Sequence, residues 1–198
     1  MIKHNLFPTL ITETNNFLSS IQCNDIYKYI VNNKKLLNKH PAITTDQSGS
    51  SHSSISNFLM QVQGDVPSCY NIINTILDTS KDYLKTSSFS AKNRLDNSWF
   101  NIQTKDSMLK EHTHPLSVLS GVIFIKSDKN SSKVYFENPN PFLKITSFNE
   151  GNNPHSSKSF SFVATPGTML LFPAWLTHGS NNVANKSKER IVLSFNIV

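Results

Sequence analysis

The stretch "RIVLSFNIV", residues 190–198, alternates between two kinds of side chain and is the clearest strand signal in the chain. Its apolar positions are Ile191, Leu193, Phe195 and Ile197. The positions between them carry Arg190, Val192, Ser194 and Asn196. Successive side chains of a β-strand point to opposite faces, so the pattern predicts a strand with one face packed in a core and the other presenting polar groups.

Short runs of the same character continue upstream as far as residue 98. They are "SWFNIQ" (98–103), "MLKEHTH" (108–114), "SVLSGVIFI" (117–125), "KVYFE" (133–137), "SFSFVA" (159–164) and "GTMLLFP" (167–173). Each run is rich in β-branched or aromatic residues and is bounded by turn-forming residues. Because no helical period separates them, they predict an antiparallel sandwich or barrel.

The first 95 residues carry helical patterns instead. Residues 24–37, "NDIYKYIVNNKKLL", and 69–84, "CYNIINTILDTSKDYL", space their apolar side chains at helical intervals. The Ser-rich segment 44–57 between them predicts an exposed loop or a flap. We therefore expect a mainly β protein with N-terminal helices and a double-stranded β-helix (jelly roll, cupin-like) core. In this interpretation the chain is a single domain, in which residues 1–95 support a jelly-roll core formed by residues 96–198.

Composition narrows the function classes. The chain is 37% hydrophobic and 16% charged, a balance typical of a soluble globular protein. No run approaches the ~20 apolar residues that a membrane helix needs, and the N-terminus lacks the apolar stretch of a secretory signal. Cys23 and Cys69 form no CxxC pair, which predicts reduced structural thiols rather than a disulfide framework or thiolate zinc site. These features predict a cytoplasmic protein.

The charge pattern argues against nucleic-acid binding. The formal net charge is +6, but the lysines are spread along the chain without the aromatic clustering of a nucleic-acid surface. The richness in Asn, Lys, Ile and Ser is typical of an AT-rich genome. A viral source would fit it, and would place the protein in the cytoplasm of a host.

Histidines at two places predict a metal site. His112 and His114, in "KEHTHPLSVLSGVIFI" (110–125), share one face of a predicted strand. Open catalytic metal sites commonly take three protein ligands, and imidazole suits iron, zinc, copper and nickel. The best third candidate is His178 in "TPGTMLLFPAWLTHGSNN" (165–182), at the end of an apolar strand where a jelly roll brings distant segments together. We predict no chemical role for the other histidines, which are His4, His40, His52 and His155.

Arg190 is one of only two arginines, the other being Arg94. A guanidinium forms a planar fork that matches a carboxylate, so the polar face of its strand is suited to a small acid. Simpler interpretations remain open. The two histidines at 112 and 114 could be exposed strand residues, the third could cap a strand end, and Arg190 could pair at the surface with Glu189 or Glu150.

These residues resemble the iron(II)- and 2-oxoglutarate-dependent oxygenases. The wording "HTHPLSVLSGVIFI", "PGTMLLFPAWLTHGSNN" and "ERIVLSFN" is similar to a branch of that superfamily found in bacteria and phages, over residues 99–198 and, more loosely, at "LFPTLI". The resemblance implies that His112 and His178 hold iron and that Arg190 binds the distal carboxylate of 2-oxoglutarate. Ser194 and Asn101 are further candidates for binding the co-substrate.

The chain departs from the family pattern at two positions. His114 stands where the family has Asp or Glu, and the hydroxyl residue often found two after the arginine is Val192 here, although Ser194 shares its face. At the first position three alternatives stay open. His114 is a ligand, the place is taken by water, chloride or substrate, or a carboxylate such as Glu137 reaches in. Glu111 is expected to face the opposite side of the strand.

The implied activity is hydroxylation of a small-molecule or peptide substrate with release of succinate and carbon dioxide. Two alternatives are a metal-binding cupin-like enzyme that does not use 2-oxoglutarate and a non-catalytic jelly-roll binding module. The expected apolar walls of the site are Phe100, Phe124, Phe172 and Trp175. The long Asn- and Pro-rich segment 136–159 is expected to be a mobile lid.

Overall fold

The computed structural model describes residues 1–2, 8–39, 50–53, 56–145, 153–180 and 183–198. The strands are β1 (Thr12–Thr14), β2 (Leu37–Lys39), β3 (Ser50–Ser53), β4 (Leu95–Thr104), β5 (Leu119–Lys126), β6 (Val134–Glu137), β7 (Ser159–Phe162), β8 (Met169–Pro173), β9 (His178–Gly179) and β10 (Glu189–Ile197). The helices are α1 (Ser20–Asn32), α2 (Phe58–Asp65), α3 (Ile72–Ser87) and α4 (Phe142–Ile145). None of these helices is both long and apolar enough to cross a membrane.

Two antiparallel sheets form the double-stranded β-helix that the sequence predicts. Among the described residues, the large sheet has seven strands in the order β1-β8-β5-β10-β4-β3-β2, and the small sheet has three in the order β7-β6-β9. All of the strand pairs are antiparallel. Strand β10 lies at the centre of the large sheet, between β4 and β5. Its side chains therefore face the helices on one side and the small sheet on the other.

The alternation of β10 is confirmed by the two hydrophobic cores. Its odd-numbered apolar residues lie in a core shared with the helices α1 to α3, as do Ile26 of α1, Phe58 of α2 and Ile76 of α3. Val192 lies in a second core, which also contains Phe136 and Phe172 and fills the space between the sheets. The helical layer thus supports one face of the large sheet, and the other face remains for a site.

The N-terminal helices differ from the sequence prediction at their boundaries. Helix α1 begins at Ser20 rather than near Asn24, because Ser19 and Gln22 form a capping box: the Ser19 N–H donates to Gln22 Oε1 at 2.9 Å, and the Gln22 N–H donates to Ser19 Oγ at 3.2 Å. It ends at Asn32, and the last predicted residues form a 3-10 turn and the start of β2. Helix α3 is confirmed, although it begins at Ile72 rather than at Cys69, which ends a separate 3-10 turn at Pro67–Cys69, and it continues to Ser87.

One predicted strand was wrong. Residues 108–114 form an extended segment with a bridge between His112 and His178 instead of a regular ladder. The segment runs into a turn at Pro115, where the Ser117 N–H donates to the His114 carbonyl at 3.4 Å, and proline has no N–H to continue a ladder. Part of the predicted Ser-rich loop is strand β3, and its residues 44–49 and 54–55 lie outside the described residues. Cys23 and Cys69 are free and buried, as predicted.

Gly121 in β5 is required by a close contact with its partner on β10. A Cβ added at Gly121 would lie 2.2 Å from Phe195 Cζ in the helix-side core. We expect Gly121→Ala to lower the free energy of unfolding by about 1–3 kcal/mol, because overpacking forces this aromatic ring to move. Urea denaturation measures the change. Gly64→Ala is the matched control, since nothing lies within 4 Å of a Cβ there, and equal losses in both variants would contradict the prediction.

Candidate functional site

Backbone pairing brings the three candidate histidines together. The His112 N–H donates to the His178 carbonyl at 2.9 Å, and the His178 N–H donates back to the His112 carbonyl at 3.1 Å. The His114 N–H donates to the Ala174 carbonyl at 2.9 Å. Gly179 permits this close approach, because a Cβ there would lie 2.9 Å from the Leu109 carbonyl oxygen. Residues far apart in sequence are thus held together by main-chain hydrogen bonds.

The imidazole rings converge on one point. One ring nitrogen from each of the three histidines lies within 4.8 Å of the other two, and His114 Nε2 lies 3.3 Å from His178 Nε2. His112 and His178 each place Nδ1 at 2.8 Å from the backbone carbonyl two residues earlier. A carbonyl only accepts, so each Nδ1 carries the proton and each Nε2 keeps a lone pair for a metal.

Burial keeps the imidazoles of His114 and His178 neutral. It lowers the pKa of His114 to about 3, with smaller contributions from the neighbouring His112 and His52. Burial also lowers the pKa of His178 well below its usual value, and the two facing imidazoles add to this effect. A metal ligand must be the neutral form of histidine. His114 and His178 are therefore in the ligand form at neutral pH.

No carboxylate joins these rings within the described part of the chain, where the group of close metal-binding side chains is His112, His114 and His178. Glu111 accepts a hydrogen bond from the Tyr135 hydroxyl at 2.7 Å, away from the cluster. Glu137 lines a second cavity. The arrangement is that of three nitrogen donors, which suits a transition-metal ion.

Arg190 is buried beside this cluster. Only 1% of its surface is exposed, its Nη1 donates to Gln103 Oε1, and its guanidinium carbon lies 5.6 Å from the Phe124 ring centroid. Its Nε is buried and has no hydrogen-bond partner among the residues that the structure describes. Burial lowers the pKa of Arg190 to about 10, so the side chain still carries its charge at neutral pH.

The surface ion pair considered for Arg190 does not form with Glu189. That carboxylate pairs with Lys34 at 2.7 Å and Lys126 at 3.0 Å, and Glu150 lies outside the described residues. Burying a charge lowers the stability of the folded protein unless the charge is paired and hydrogen-bonded. The guanidinium is thus suited to an anionic ligand.

The histidines and Arg190 line a common cavity of about 30 Å³. Asn101 and Ser194 line it too, so the structure brings together all six residues that the sequence singled out. Val192 also lines it, next to Ser194 on the same face of β10. A candidate metal site, a buried cation and small polar groups therefore line one cavity.

Sequence reasoning missed several residues of this site. Gln103 contacts Arg190, and its position two after Asn101 on β4 could have indicated the same face. The sequence predicts no chemical role for His52, but its Nδ1 lies 3.1 Å from Asn101 Oδ1. The Trp99 ring lies 5.4 Å from that of His114. Nothing local to "SSHS" could have placed His52 here, because strand β3 is short and polar.

Two of the four expected aromatic walls were wrong. Phe172 lines the cavity and Phe124 packs on Arg190, but Phe100 lies on the other face of β4 and packs against Phe58, with ring centroids 4.6 Å apart. Trp175 is 52% exposed and lies outside the cavity. The described part of segment 136–159 lines the second cavity rather than this one, and residues 146–152 lie outside the described residues.

Comparison with known proteins points to one family. Residues 97–196 match the family model described as "Putative 2OG-Fe(II) oxygenase". Among curated proteins, no sequence matches this chain. Solved structures share the fold at low sequence identity, and three of them illustrate its range.

A Pseudomonas putida prolyl-4-hydroxylase is 11% identical, with a TM-score of 0.65 over 96% of this chain and 92% of that one. The viral collagen prolyl hydroxylase of Paramecium Bursaria Chlorella virus-1, in its 2-oxoglutarate complex, is 13% identical, with a TM-score of 0.58 over 94% of each chain. HygX from Streptomyces hygroscopicus, with nickel and 2-oxoglutarate bound, is 12% identical, with a TM-score of 0.61 over 95% of this chain and 82% of that one. At these identities the likeness shows the double-stranded β-helix fold alone.

Proposed function

The chain belongs to the 2OG-Fe(II) oxygenase family, and from this premise we propose that it hydroxylates a small-molecule or peptide substrate with release of succinate and carbon dioxide. It is an oxygenase enzyme whose cofactors are Fe(II) and 2-oxoglutarate. The hydroxylated substrate is the part that rests on our inference. The observation that carries the proposal is the shared cavity, which joins three converging imidazoles to a buried guanidinium.

The residues present fit both cofactors. Three converging imidazoles supply the metal donors, and we assign this role to His112, His114 and His178. The unpaired Nε of Arg190 is a buried donor that a carboxylate would satisfy, so Arg190 is assigned the distal carboxylate of 2-oxoglutarate. Ser194 and Asn101 line the same cavity and are assigned hydrogen bonds to the co-substrate.

Bound Fe(II) would supply the activation of dioxygen, one oxygen atom of which would pass to succinate as 2-oxoglutarate loses carbon dioxide, and the other to the hydroxylated product. The chain's own residues bind and orient the reactants, and they exclude water from the cavity. Phe172, Val122 and Val134 form an apolar wall of the cavity, which strengthens the electrostatic interactions inside it. The backbone carbonyls that hold His112 and His178 keep their rings in one orientation.

The substrate class follows from what this fold accommodates. Two of the similar structures are named for prolyl hydroxylation, and a structure of HygX contains hygromycin B. Both peptide and small-molecule substrates are therefore compatible with the scaffold. The cytoplasmic location stays a prediction from the sequence.

Release of succinate tests the activity. We expect the purified chain to convert 2-oxoglutarate to succinate when Fe(II), dioxygen and fractionated small molecules or peptides are supplied. Mass spectrometry would detect succinate and a substrate heavier by one oxygen atom. Matched reactions omit Fe(II) or 2-oxoglutarate. A protein that binds metal but not 2-oxoglutarate, measured by calorimetry, would contradict the proposal and favour a cupin-like metal enzyme.

A further inference from the structure

Arg190, Gln103 and Ser180 form a buried hydrogen-bonded chain, here called the Gln103 bridge. Each of the three side chains is at most 1% exposed. Gln103 Oε1 accepts from Arg190 Nη1, and Gln103 Nε2 donates to Ser180 Oγ at 2.9 Å. The bridge crosses from strand β4 of the large sheet to the residue that follows β9 of the small sheet.

The donors and acceptors give the Gln103 bridge a single direction. A guanidinium has only donors, so it must face the amide oxygen of Gln103, which turns the amide N–H groups toward Ser180. Ser180 Oγ also accepts from the Leu109 N–H at 3.1 Å. The hydroxyl oxygen thus receives two donors, which matches its two lone pairs. Reversing the amide would place donors against donors and leave buried groups unpaired.

The Gln103 bridge also links Arg190 to both segments that carry the histidines. Ser180 lies two residues after His178, and its backbone N–H donates to the Leu109 carbonyl at 2.9 Å. Leu109 lies in the extended segment that leads to His112. The Ser180 hydroxyl therefore connects the guanidinium on β10 to the two backbone segments that position the imidazoles.

The bridge occupies the Nη1 side of the guanidinium and leaves the Nε side for a ligand. Nη1 is engaged by Gln103, whereas Nε is buried without a partner within the described residues. By covalent geometry Nε and Nη2 share one edge of the planar group, and such an edge offers two parallel donors to a carboxylate. A neutral amide at Nη1 orients this edge without cancelling the positive charge.

Resting on the proposed function, we propose that Gln103 is a positioning residue that holds the Arg190 guanidinium so that its Nε–Nη2 edge receives the distal carboxylate of 2-oxoglutarate. A glutamate at 103 would pair with Arg190 and compete with the co-substrate. An apolar side chain of similar length would leave Nη1 without its acceptor and the guanidinium free to rotate. Glutamine is the residue type that orients the charge and preserves it.

The test compares two variants and two ligands. Gln103→Met and Gln103→Glu are loaded with Ni(II), and binding of 2-oxoglutarate and of pyruvate is measured by calorimetry. Pyruvate has the same 2-oxo acid group but no distal carboxylate. We expect the Kd for 2-oxoglutarate to rise about 10- to 100-fold in Gln103→Met and further in Gln103→Glu, since a charged hydrogen bond is affected. The Kd for pyruvate should stay within about 2-fold.

The controls separate positioning from simple loss of structure. Gln61→Glu, at an exposed position of α2, should leave both ligands unaffected. If Gln103→Met does not fold, Ser180→Ala removes the acceptor of the same bridge and should weaken binding of 2-oxoglutarate selectively. Equal weakening for both ligands, or none in either Gln103 variant, would overturn the inference. Failure of the unaltered protein to bind 2-oxoglutarate would instead overturn the proposed function.

Discussion

Arg190→Ala is expected to raise the Kd for 2-oxoglutarate by about 100-fold or more while changing the affinity for Ni(II) by no more than about 2-fold. The distal carboxylate would lose a buried, charged partner in a cavity with a mainly apolar lining, which is where such a loss is largest. His112 and His178 keep their hydrogen bonds to the Lys110 and Leu176 carbonyls, neither of which involves Arg190.

Calorimetry with Ni(II)-loaded protein measures both affinities. The matched control is Arg94→Ala, since Arg94 is the other arginine of the chain and makes a 3.7 Å exposed ion pair with Asp96. Exposed pairs contribute little, so that variant should bind 2-oxoglutarate normally. Arg190→Lys keeps the charge but lacks the two-donor edge, and an intermediate affinity is expected. Equal loss of metal and 2-oxoglutarate in Arg190→Ala would contradict the assigned role.

His178→Ala is expected to reduce the affinity for Fe(II) or Ni(II) by more than about 100-fold, because loss of a direct ligand should exceed the 10- to 100-fold effect of losing an outer partner. His178 is buried at the centre of the cluster, within ring contact of both His112 and His114. Metal content after dialysis and titration of the metal-free protein measure the change. His155→Ala, at an exposed histidine, is the matched control and should bind metal normally.

Variants of His114 decide between the three alternatives for the third metal position. If this imidazole is a ligand, His114→Ala should lose as much metal affinity as His178→Ala. His114→Asp should retain metal, because a carboxylate restores the usual two-histidine, one-carboxylate set. A small loss in His114→Ala would favour water or another group at this position, and a large loss in Glu137→Gln would identify that carboxylate as the ligand.

Local patterns in the sequence predict much of this fold. Strand β10 was predicted because its polar and apolar residues alternate, and α3 because its apolar residues recur at helical steps. Strands β1, β2, β3 and β9 were missed, since each has only two to four residues and too few side chains to show a period. The extended segment 108–114 was taken for a strand, because its composition is that of a strand and only its pairing partners decide otherwise.

The sequence by itself determined which side chains are the candidates for the chemistry: a His-x-His pair, a histidine at a strand end and an arginine on the polar face of β10. Tertiary structure alone decided how they meet. His52 reaches Asn101 across 49 residues, and Gln103 reaches Ser180 across 77. Such contacts leave no local period, because they arise only when the sheets pair and bury these groups together. Burial then makes His114 and His178 neutral and leaves the guanidinium charged, with no counter-ion among the residues that the structure describes, and no single segment of the chain encodes that environment.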